Sequence, residues 1–203
     1  MKKFTLLFFI LMLAACSSDS SNPEDGLPAA TQTGANTFGC LIDGQLFIPR
    51  TGSTDIINPL RGGQITIGFP QYLFDYYELD IVDFKASRTK SMLFHIHNTP
   101  IIETDTFIIN QSNGNKGIDG YEHHYITCVL YDMTTNSYQK YVSFENSGTF
   151  TITRLSSNPP NGTIISGTFN CKLRKLTDPT DEIEITNGRF DVNSATLRDV
   201  YFP

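Results

Sequence analysis

The chain has 203 residues, of which 18% are charged, and a formal net charge of −6 at pH 7. An acidic protein of this kind is a poor match for nucleic acid, because affinity for phosphates comes from lysine and arginine. We therefore expect no nucleic-acid partner. Fifteen phenylalanines and nine tyrosines supply large core side chains in the absence of tryptophan, and the length suits a single domain.

The start of the chain has the three parts of a secretory signal. Lys2 and Lys3 precede an apolar run at residues 4–13, and two alanines lead from it to Cys16. The run is about half as long as the ~20 residues that a transmembrane helix needs. The pattern resembles a bacterial lipoprotein signal, in which cleavage occurs before a cysteine that then carries lipid. It predicts a signal peptide at residues 1–15.

Residues 16–27 are small and polar, which predicts a flexible tether after the signal. Stable anchoring takes more than one acyl chain, so the resemblance implies a diacylated or triacylated Cys16 with palmitate among the chains. The expected partner is thus a membrane, bound through the lipid on Cys16. The expected location is the bacterial cell envelope, at the outer membrane, with either the periplasmic or the surface face open.

Residues 28–203 show strand patterns punctuated by glycine, proline and asparagine, without a long 3.6-residue period. Asp43-Gly44 lies between two apolar runs and predicts a hairpin with a type I′ turn, because both central residues of that turn need positive φ. A second hairpin is predicted from residues 76–84 and 91–97. Further strands are predicted at residues 63–69, 104–111, 122–132, 137–144, 149–155, 163–173 and 182–192, with turns at 145–148 and 178–181.

These patterns predict an all-β fold. About ten short strands with short connections favour a single antiparallel β-sandwich or barrel, mostly connected by hairpins. In the strand at 163–173, Ile165, Phe169 and Leu173 share one face and are expected to point inward. We expect one domain over residues 28–203.

Residues 27–40 read LPAATQTGANTFGC, and the Asp43-Gly44 turn and Pro49 follow. This opening resembles Bacteroidota lipoproteins whose mature domain begins LPxATQTGxNTFGC. Near the far end, ISGTF at residues 165–169 and ITNGRFDV at residues 185–192 are similar too. That family is a domain of unknown function, so the resemblance implies an envelope lipoprotein with a β-rich fold. It supplies no catalytic residue.

The most suggestive constellation for chemistry lies in the second hairpin. His95 and His97 share one face of a strand, because alternate residues of a strand do so. With a loop at residues 85–90, the register places Asp80 opposite His95 and Glu78 opposite His97. Two imidazoles and a carboxylate can ligate zinc or another transition metal. The alternative is a set of ordinary cross-strand charge pairs on an outward face.

Two weaker signals favour plain structure. His123 and His124 are adjacent, so they point to opposite faces of a strand and are best explained as polar residues at its start. Residues 113–120 alternate oxygen-bearing side chains as calcium loops do. The segment contains Lys116 and lacks the terminal bidentate glutamate of an EF-hand, so a turn is favoured.

Three cysteines remain after lipidation of Cys16, namely Cys40, Cys128 and Cys171. A disulfide is permitted in an exported protein, and Cys40 and Cys171 both fall on inward faces, so they are the candidate pair. Buried free thiols are the alternative, and the odd number leaves at least one thiol unpaired. No nucleotide-binding loop, hydrolase elbow or zinc-protease motif is present, so we expect no cofactor.

The function expected from the sequence is a non-enzymatic binding or interaction module on a lipid anchor, with an envelope protein or glycan as partner and affinity from loops at one end of the fold. One alternative is a small-ligand carrier with a cavity inside a barrel. Another is a metal-dependent hydrolase that uses a site made by His95, His97, Glu78 and Asp80.

Overall fold

The computed structural model describes residues 22–50, 54–55, 58–59, 65–68, 76–85, 88–97, 104–157 and 161–197. These parts of the chain are all-β, as predicted, and their helical elements are two 3-10 turns, Pro23–Gly26 and Gly117–Asp119. The predicted signal at residues 1–15 and Cys16 lie outside the described residues. Across the described ranges, no helix has the length and hydrophobicity needed to cross a bilayer.

The strands follow one another along the chain with mostly tight connections. In the described ranges they are β1 (Thr37–Ile42), β2 (Gln45–Phe47), β3 (Thr54–Asp55), β4 (Asn58–Pro59), β5 (Ile65–Gly68), β6 (Tyr76–Asp83), β7 (Lys90–His97), β8 (Thr106–Ile109), β9 (Tyr125–Asp132), β10 (Ser137–Ser157), β11 (Thr163–Lys175) and β12 (Asp178–Asn193). Ten of them form one antiparallel sheet in the order β2-β1-β12-β11-β10-β9-β7-β6-β5, with β8 paired to the second half of β10. Strands β3 and β4 pair with each other.

This sheet curls like half of a barrel, and the contacts of Phe94 show how far. Strands β7 and β12 are four positions apart in the sheet, which is about 19 Å in a flat sheet with ~4.8 Å between strands. Yet the ring centroid of Phe94 on β7 lies 5.8 Å from that of Phe190 on β12. It also lies 5.1 Å from Phe150 and 5.3 Å from Phe169. The concave face is therefore filled by side chains from strands that are not neighbours.

Local turn chemistry predicts the first hairpin correctly. Asp43 and Gly44 have φ values of 48° and 72°, as a type I′ turn requires. The predicted inward face of β11 is confirmed as well, since Ile165, Phe169 and Leu173 are all buried in the core. Alternation of side chains thus identifies the buried face wherever the strand is regular.

Two predicted turns are wrong. Residues 145–148 lie inside β10, which continues through them with a bulge between Ser143 and Gly148. Asn146 takes up a positive φ of 55° there. A Cβ on Gly148 would lie 2.2 Å from the backbone oxygen of Asn170. The absence of a side chain at this glycine therefore lets β10 approach β11 closely. The other turn falls at Leu176 and Thr177, and residues 178–181 already belong to β12.

The second hairpin forms as predicted, but its predicted register is wrong by two residues. Glu78, and not Asp80, lies opposite His95, and His97 lies opposite Tyr76. The cause lies at the end of β6, where Asp83 pairs with Lys90 and terminates the ladder. Because side chains alternate with a period of two, a shift of two residues leaves every side chain on its predicted face.

Asp83 is held in place by a second chain segment. Its carboxylate accepts hydrogen bonds from Arg50 Nε (3.1 Å) and Arg50 Nη2 (2.6 Å), and from the backbone N–H of Lys85 (3.0 Å). The Asp83 side chain is 1% exposed, and a buried carboxylate needs such partners. The ion pair therefore fixes the strand end that sets the register of the hairpin.

Candidate functional site

The first candidate site lies on the convex side of the sheet, around β6, β7 and β9. His95 Nδ1 lies 2.9 Å from Glu78 Oε1, and the backbone N–H of Gly117 donates to the same oxygen at 2.6 Å. An ionised carboxylate only accepts hydrogen bonds, so Nδ1 of His95 carries the proton in this contact. The His95 side chain is 2% exposed and that of Glu78 13%. The pair is predominantly enclosed by the protein.

Two tyrosine rings hold the imidazole between them. The His95 ring stacks on Tyr125 with centroids 4.3 Å apart and planes at 7°, and on Tyr76 at 4.7 Å and 27°. The Tyr125 hydroxyl donates to the backbone oxygen of Asn115 at 3.2 Å. Burial, assisted by the nearby Glu78 and Tyr76, raises the pKa of Tyr125. Tyr125 therefore stays a neutral hydrogen-bond donor. The two stacked tyrosine rings hold the ring of His95 in a fixed orientation.

Residues 110–120 cross over this site and close it. Ser112 Oγ is 2.9 Å from Thr127 Oγ1 on β9, and Gly114 accepts a hydrogen bond from Lys140 Nζ at 2.8 Å through its backbone oxygen. The contact between Gly117 and Glu78 completes the attachment. The segment is thus fastened to β6, β9 and β10, and it limits access to His95 from solvent.

The same segment contains the oxygen-rich residues that were compared with calcium loops. Asn113 Oδ1 accepts from the backbone N–H of Asn115 at 2.9 Å. The side-chain amides of Asn113 and Asn115 both donate to the backbone oxygen of Asp119, at 2.8 Å and 3.3 Å. These side chains are engaged in building a turn, as expected for asparagine next to glycine.

All four histidines of the chain gather in this region. His124 Nδ1 accepts the backbone N–H of His97 at 3.1 Å, and its ring contacts Phe107 and Phe150, with centroids 5.1 Å and 4.9 Å away. Burial, together with the charges of His97, His95 and His123, lowers the pKa of His124 to about 4. His124 is therefore neutral near pH 7 and serves as a hydrogen-bond acceptor.

The structure brings two of the four predicted metal ligands into direct contact, namely Glu78 and His95. Asp80 lies opposite Leu93, with its Oδ2 4.0 Å from Lys116 Nζ. Burial, which Lys116 opposes and Glu78 reinforces, raises the pKa of Asp80. Within the described ranges, no group of three or more His, Cys, Asp or Glu side chains is placed to hold a metal ion.

The cysteines are buried on the inner side of the sheet. Cys40, Cys128 and Cys171 are free thiols in the structure. Burial raises the pKa of each, to about 12 for Cys128. Protonated, enclosed thiols react slowly, because the thiolate is the reactive form. The pairing of Cys40 with Cys171 stays a prediction.

A second polar assembly, which sequence reasoning missed, lies on the convex side of β12. Four alternate residues of that strand each bond a successive part of residues 22–36: Asn187, Arg189, Asp191 and Asn193. Asn187 Nδ2 donates to Glu24 Oε1 at 2.8 Å, and Arg189 Nη1 donates to the backbone oxygen of Pro28 at 3.3 Å. The backbone N–H of Asn193 donates to Asn36 Oδ1 at 2.8 Å. We call this assembly of residues 22–36 and β12 the clasp.

The central residue of the clasp is Asp191, which is 1% exposed. Its carboxylate accepts five hydrogen bonds: Thr31 Oγ1 (2.6 Å), Thr33 N (3.0 Å), Gly34 N (2.8 Å), Ala35 N (3.0 Å) and Ser166 Oγ (2.7 Å). Burial alone would raise the pKa of Asp191, but these donors outweigh it, and the pKa lies below its ordinary value. The carboxylate is saturated, which indicates a structural role.

The clasp also changes the predicted tether. The tether was expected to extend to residue 27, but the 3-10 turn Pro23–Gly26 is part of the folded domain, and Asn22 Oδ1 caps it by accepting the Glu24 N–H at 3.2 Å. Leu27 and Pro28 pack against Gly39, where a Cβ would lie 2.6 Å from Pro28 Cδ. Two of the sequence phrases that carry the resemblance, residues 27–40 and 185–192, thus contact each other in the clasp.

The third feature is a surface at the end of the sheet where the hairpins β6–β7, β9–β10 and β11–β12 turn. We call it the hairpin-tip surface, and its members are Arg88, Tyr131, Met133, Tyr138 and Leu176. Arg88 lies over the Tyr131 ring at 4.6 Å, and the Tyr131 and Tyr138 rings are 5.1 Å apart. Met133 is 77% exposed, Tyr138 54% and Leu176 48%.

Comparison with known proteins adds no relative. No protein-family model matches the chain, and neither a curated protein nor a solved structure is significantly similar to it. The chemistry and geometry of the chain's own residues therefore have to indicate its function.

Proposed function

We propose that the chain is a lipid-anchored binding domain of the bacterial cell envelope that contacts a protein partner through the hairpin-tip surface. The anchor is the lipid on Cys16, which the signal pattern predicts. The single observation that supports the binding role is the exposure of three large side chains at two hairpins of the hairpin-tip surface, Met133 and Tyr138 of β9–β10 and Leu176 of β11–β12.

The composition of that surface is typical of protein interfaces. Arginine, tyrosine and methionine are enriched in such interfaces, and arginine and tyrosine in particular are frequent hot spots. Tyr131 and Tyr138 are already stacked edge to face with Arg88 against them, so binding would lose little side-chain entropy. The strands beneath are part of one hydrogen-bonded sheet, which provides a rigid support for the turns.

The two alternatives draw less support from the same geometry. A hydrolase would need a substrate to reach His95, whose side chain is 2% exposed. A carrier would need space among the inward aromatic side chains, but Phe94 contacts Phe150, Phe169 and Phe190 directly. Binding at the exposed hairpin-tip surface requires neither access to His95 nor a cavity among the inward aromatic side chains.

The anchor is tested by a Cys16→Ser variant in cells that process lipoproteins. The wild-type protein is expected in the membrane fraction and labelled by an alkyne analogue of palmitate. The variant is expected to lose both the label and the membrane association, because its side chain cannot form the thioether. A variant that still sediments with membranes would overturn the anchor.

The binding surface is tested by photo-crosslinking in intact cells. A benzophenone amino acid replaces Tyr138, and the matched control replaces Thr168, an exposed residue on β11 away from the tips. A discrete, protease-sensitive product is expected from position 138 and none from position 168. Equal products from both positions would overturn the proposal, and so would a product from position 138 that glycan-degrading enzymes remove.

A further inference from the structure

We infer that the hairpin-tip surface binds a second copy of this chain in a twofold-symmetric dimer. This inference rests on the proposed binding role and names the partner. A twofold interface brings the same surface of both copies together, so that surface has to be complementary to itself. At the hairpin-tip end of the sheet, both the shape and the distribution of charge meet this condition.

The two hairpins that carry the exposed side chains differ in height. Leu176, in the β11–β12 turn, donates its backbone N–H to the backbone oxygen of Lys140 at 2.8 Å. Strand β10 begins three residues before Lys140, at Ser137, and pairs there with β9. At ~3.3 Å per residue, the β9–β10 hairpin therefore extends about 10 Å beyond the β11–β12 hairpin.

The neighbouring hairpins continue this difference. Ser91 in β7 and Lys140 in β10 both pair with Val129, so the β6–β7 turn, like the β9–β10 turn, lies beyond that level. On the other side, Asp43 in the β1–β2 turn exchanges hydrogen bonds with Glu184, which lies inside β12. This end of the sheet therefore has a high half (β6, β7, β9 and β10) and a low half (β11, β12, β1 and β2), with a step between β10 and β11.

The high half is cationic at its β6–β7 hairpin. Asp83, at the end of β6, is buried and paired with Arg50 at 2.6 Å, so these two residues together add no net charge. Asp132 in β9 contributes one negative charge, and its carboxylate accepts the backbone N–H of Thr134 at 2.8 Å. The basic residues in and beside the turn are exposed or half-buried, and they are Lys85, Arg88 and Lys90.

The low half has the opposite charge. Lys175 offsets one of its carboxylates, since Lys175 Nζ lies 3.4 Å from Asp181 Oδ2. Arg174 and Glu182 neutralise each other in an ion pair at 2.8 Å. A net negative charge remains, because the carboxylates in and beside the turns are Asp43, Asp178 and Asp181.

A twofold axis at the step places the high half of each copy on the low half of the other. It relates β10 to β11 and β9 to β12, because the members of each pair are equally far from the step. Arg88 lies over the ring of Tyr131 in β9, so it meets Asp178 at the start of β12 in the second copy. Tyr138 in β10 meets Leu176 of the second copy. An apolar centre flanked by opposite charges is typical of specific interfaces.

The dimer is tested in cells that express two full-length copies of the protein with different tags. A benzophenone amino acid replaces Tyr138 in one of them. Light should give a product that carries both tags and has twice the mass of the chain. A product that joins one copy to a different protein would overturn the dimer while the proposed binding role stands. The absence of any product from position 138 would overturn both.

The charge pairing is tested by exchange. When both tagged copies carry Arg88→Glu, or both carry Asp178→Lys, like charges face each other at the two equivalent contacts. The two-tag product should then fall by about fivefold or more. When one copy carries Arg88→Glu and the other Asp178→Lys, both contacts are attractive again. The product should then return to within about twofold of the wild-type amount.

The exchange also controls for folding, because a misfolded variant could not be restored by its partner. The matched control for a change of charge is Lys116→Glu in both copies, since Lys116 is 71% exposed and lies beside Asp80, away from the hairpin tips. It should leave the two-tag product unchanged. A mixture that gives no more product than either variant alone would overturn the dimer's charge pairing, and so would an equal loss in the Lys116 control.

Discussion

The clasp and the cluster around His95 are both buried polar assemblies on the convex side of one sheet, but their chemistry differs. In the clasp, Asp191 meets five donors, three of them backbone N–H groups, so it has one stable ionisation state near neutral pH. In the cluster, the contacts are between side chains, and burial lowers the pKa of His124 to about 4. The comparison shows that burial of a polar group does not identify a functional site by itself; saturation by fixed donors marks a structural one.

The largest effect should come from breaking the clasp. Asp191→Ala removes the acceptor of five hydrogen bonds, and a hydrogen bond to a charged group contributes ~1.5–3 kcal/mol. Because the released segment can be hydrated, we expect the free energy of unfolding to fall by about 3 kcal/mol in urea titrations. Glu182→Ala is the matched control, since Glu182 forms a surface ion pair with Arg174 at 2.8 Å, and such pairs contribute at most ~1 kcal/mol. Equal losses would refute the role of Asp191.

Acid should act on the clasp in a defined direction. The pKa of Asp191 lies below its ordinary value of 3.8, so its carboxylate contributes stability that is present above pH 3.8 and is lost as the pH falls through the lowered pKa. Asp191→Asn should remove this part of the acid dependence while roughly preserving side-chain size. Unfolding curves of the two proteins between pH 2 and pH 5 measure it; parallel curves would contradict the assignment.

A smaller effect is expected from the contact between Glu78 and His95. Glu78→Ala leaves His95 Nδ1 and the Gly117 N–H without their acceptor inside the protein, which should cost about 2 kcal/mol of unfolding free energy. Glu78→Gln keeps an acceptor oxygen at the same place and should cost less than about 1 kcal/mol. If the two variants are equally destabilised, the geometry of that hydrogen bond is not what matters.

His124 should make the stability of the protein depend on pH between 6.5 and 4, an interval in which Asp191 of the clasp does not titrate. Its pKa is lowered from 6.5 to about 4, so the unfolded chain binds the extra proton first and stability falls as the pH drops from 6.5 towards 4. In His124→Asn, Oδ1 can take the place of Nδ1 as acceptor for the His97 N–H but does not titrate. The difference in unfolding free energy between the two proteins should therefore vary with pH over this interval; a constant difference would count against it.

The smallest effect is expected at the rim of the cluster. Lys116 Nζ is 4.0 Å from Asp80 Oδ2, and the Lys116 side chain is 71% exposed. An exposed pair at this distance is worth little, so Lys116→Ala should change stability by less than about 0.5 kcal/mol. A larger loss would mean that Lys116 fastens residues 110–120 over His95.

Local chemistry predicts much of the fold, and long-range contacts account for what it misses. The turn at Asp43 and Gly44 follows from positive φ preferences alone. The bulge in β10 was interpreted as a turn, because Asn146 and Gly148 suit both, and the pairing of both flanks with β11 decides between them. The second hairpin shows the same limit, since Arg50 fixes its end from another segment.

The candidate sites, too, could be predicted from local patterns only in part. Alternation correctly placed Glu78 and His95 on one face, but it could not show that residues 110–120 cover them. The residues of the clasp were visible as two sequence phrases, and only the fold shows that they meet. A usable signal was present in β12, where polar residues recur at every second position from Asn187 to Asn193 in a strand with an apolar opposite face.

The clasp also constrains the order in which the protein can fold. Thr31 and Asp191 are 160 residues apart, and Phe94 needs Phe190 to complete its surroundings. A chain that emerges from its N-terminus cannot close either contact until almost all of it has appeared, and such non-local contacts form slowly. The N-terminal part of the domain therefore cannot complete its folding until the last strand has been synthesised. A chain halted midway would expose its aromatic core residues to chaperones and proteases.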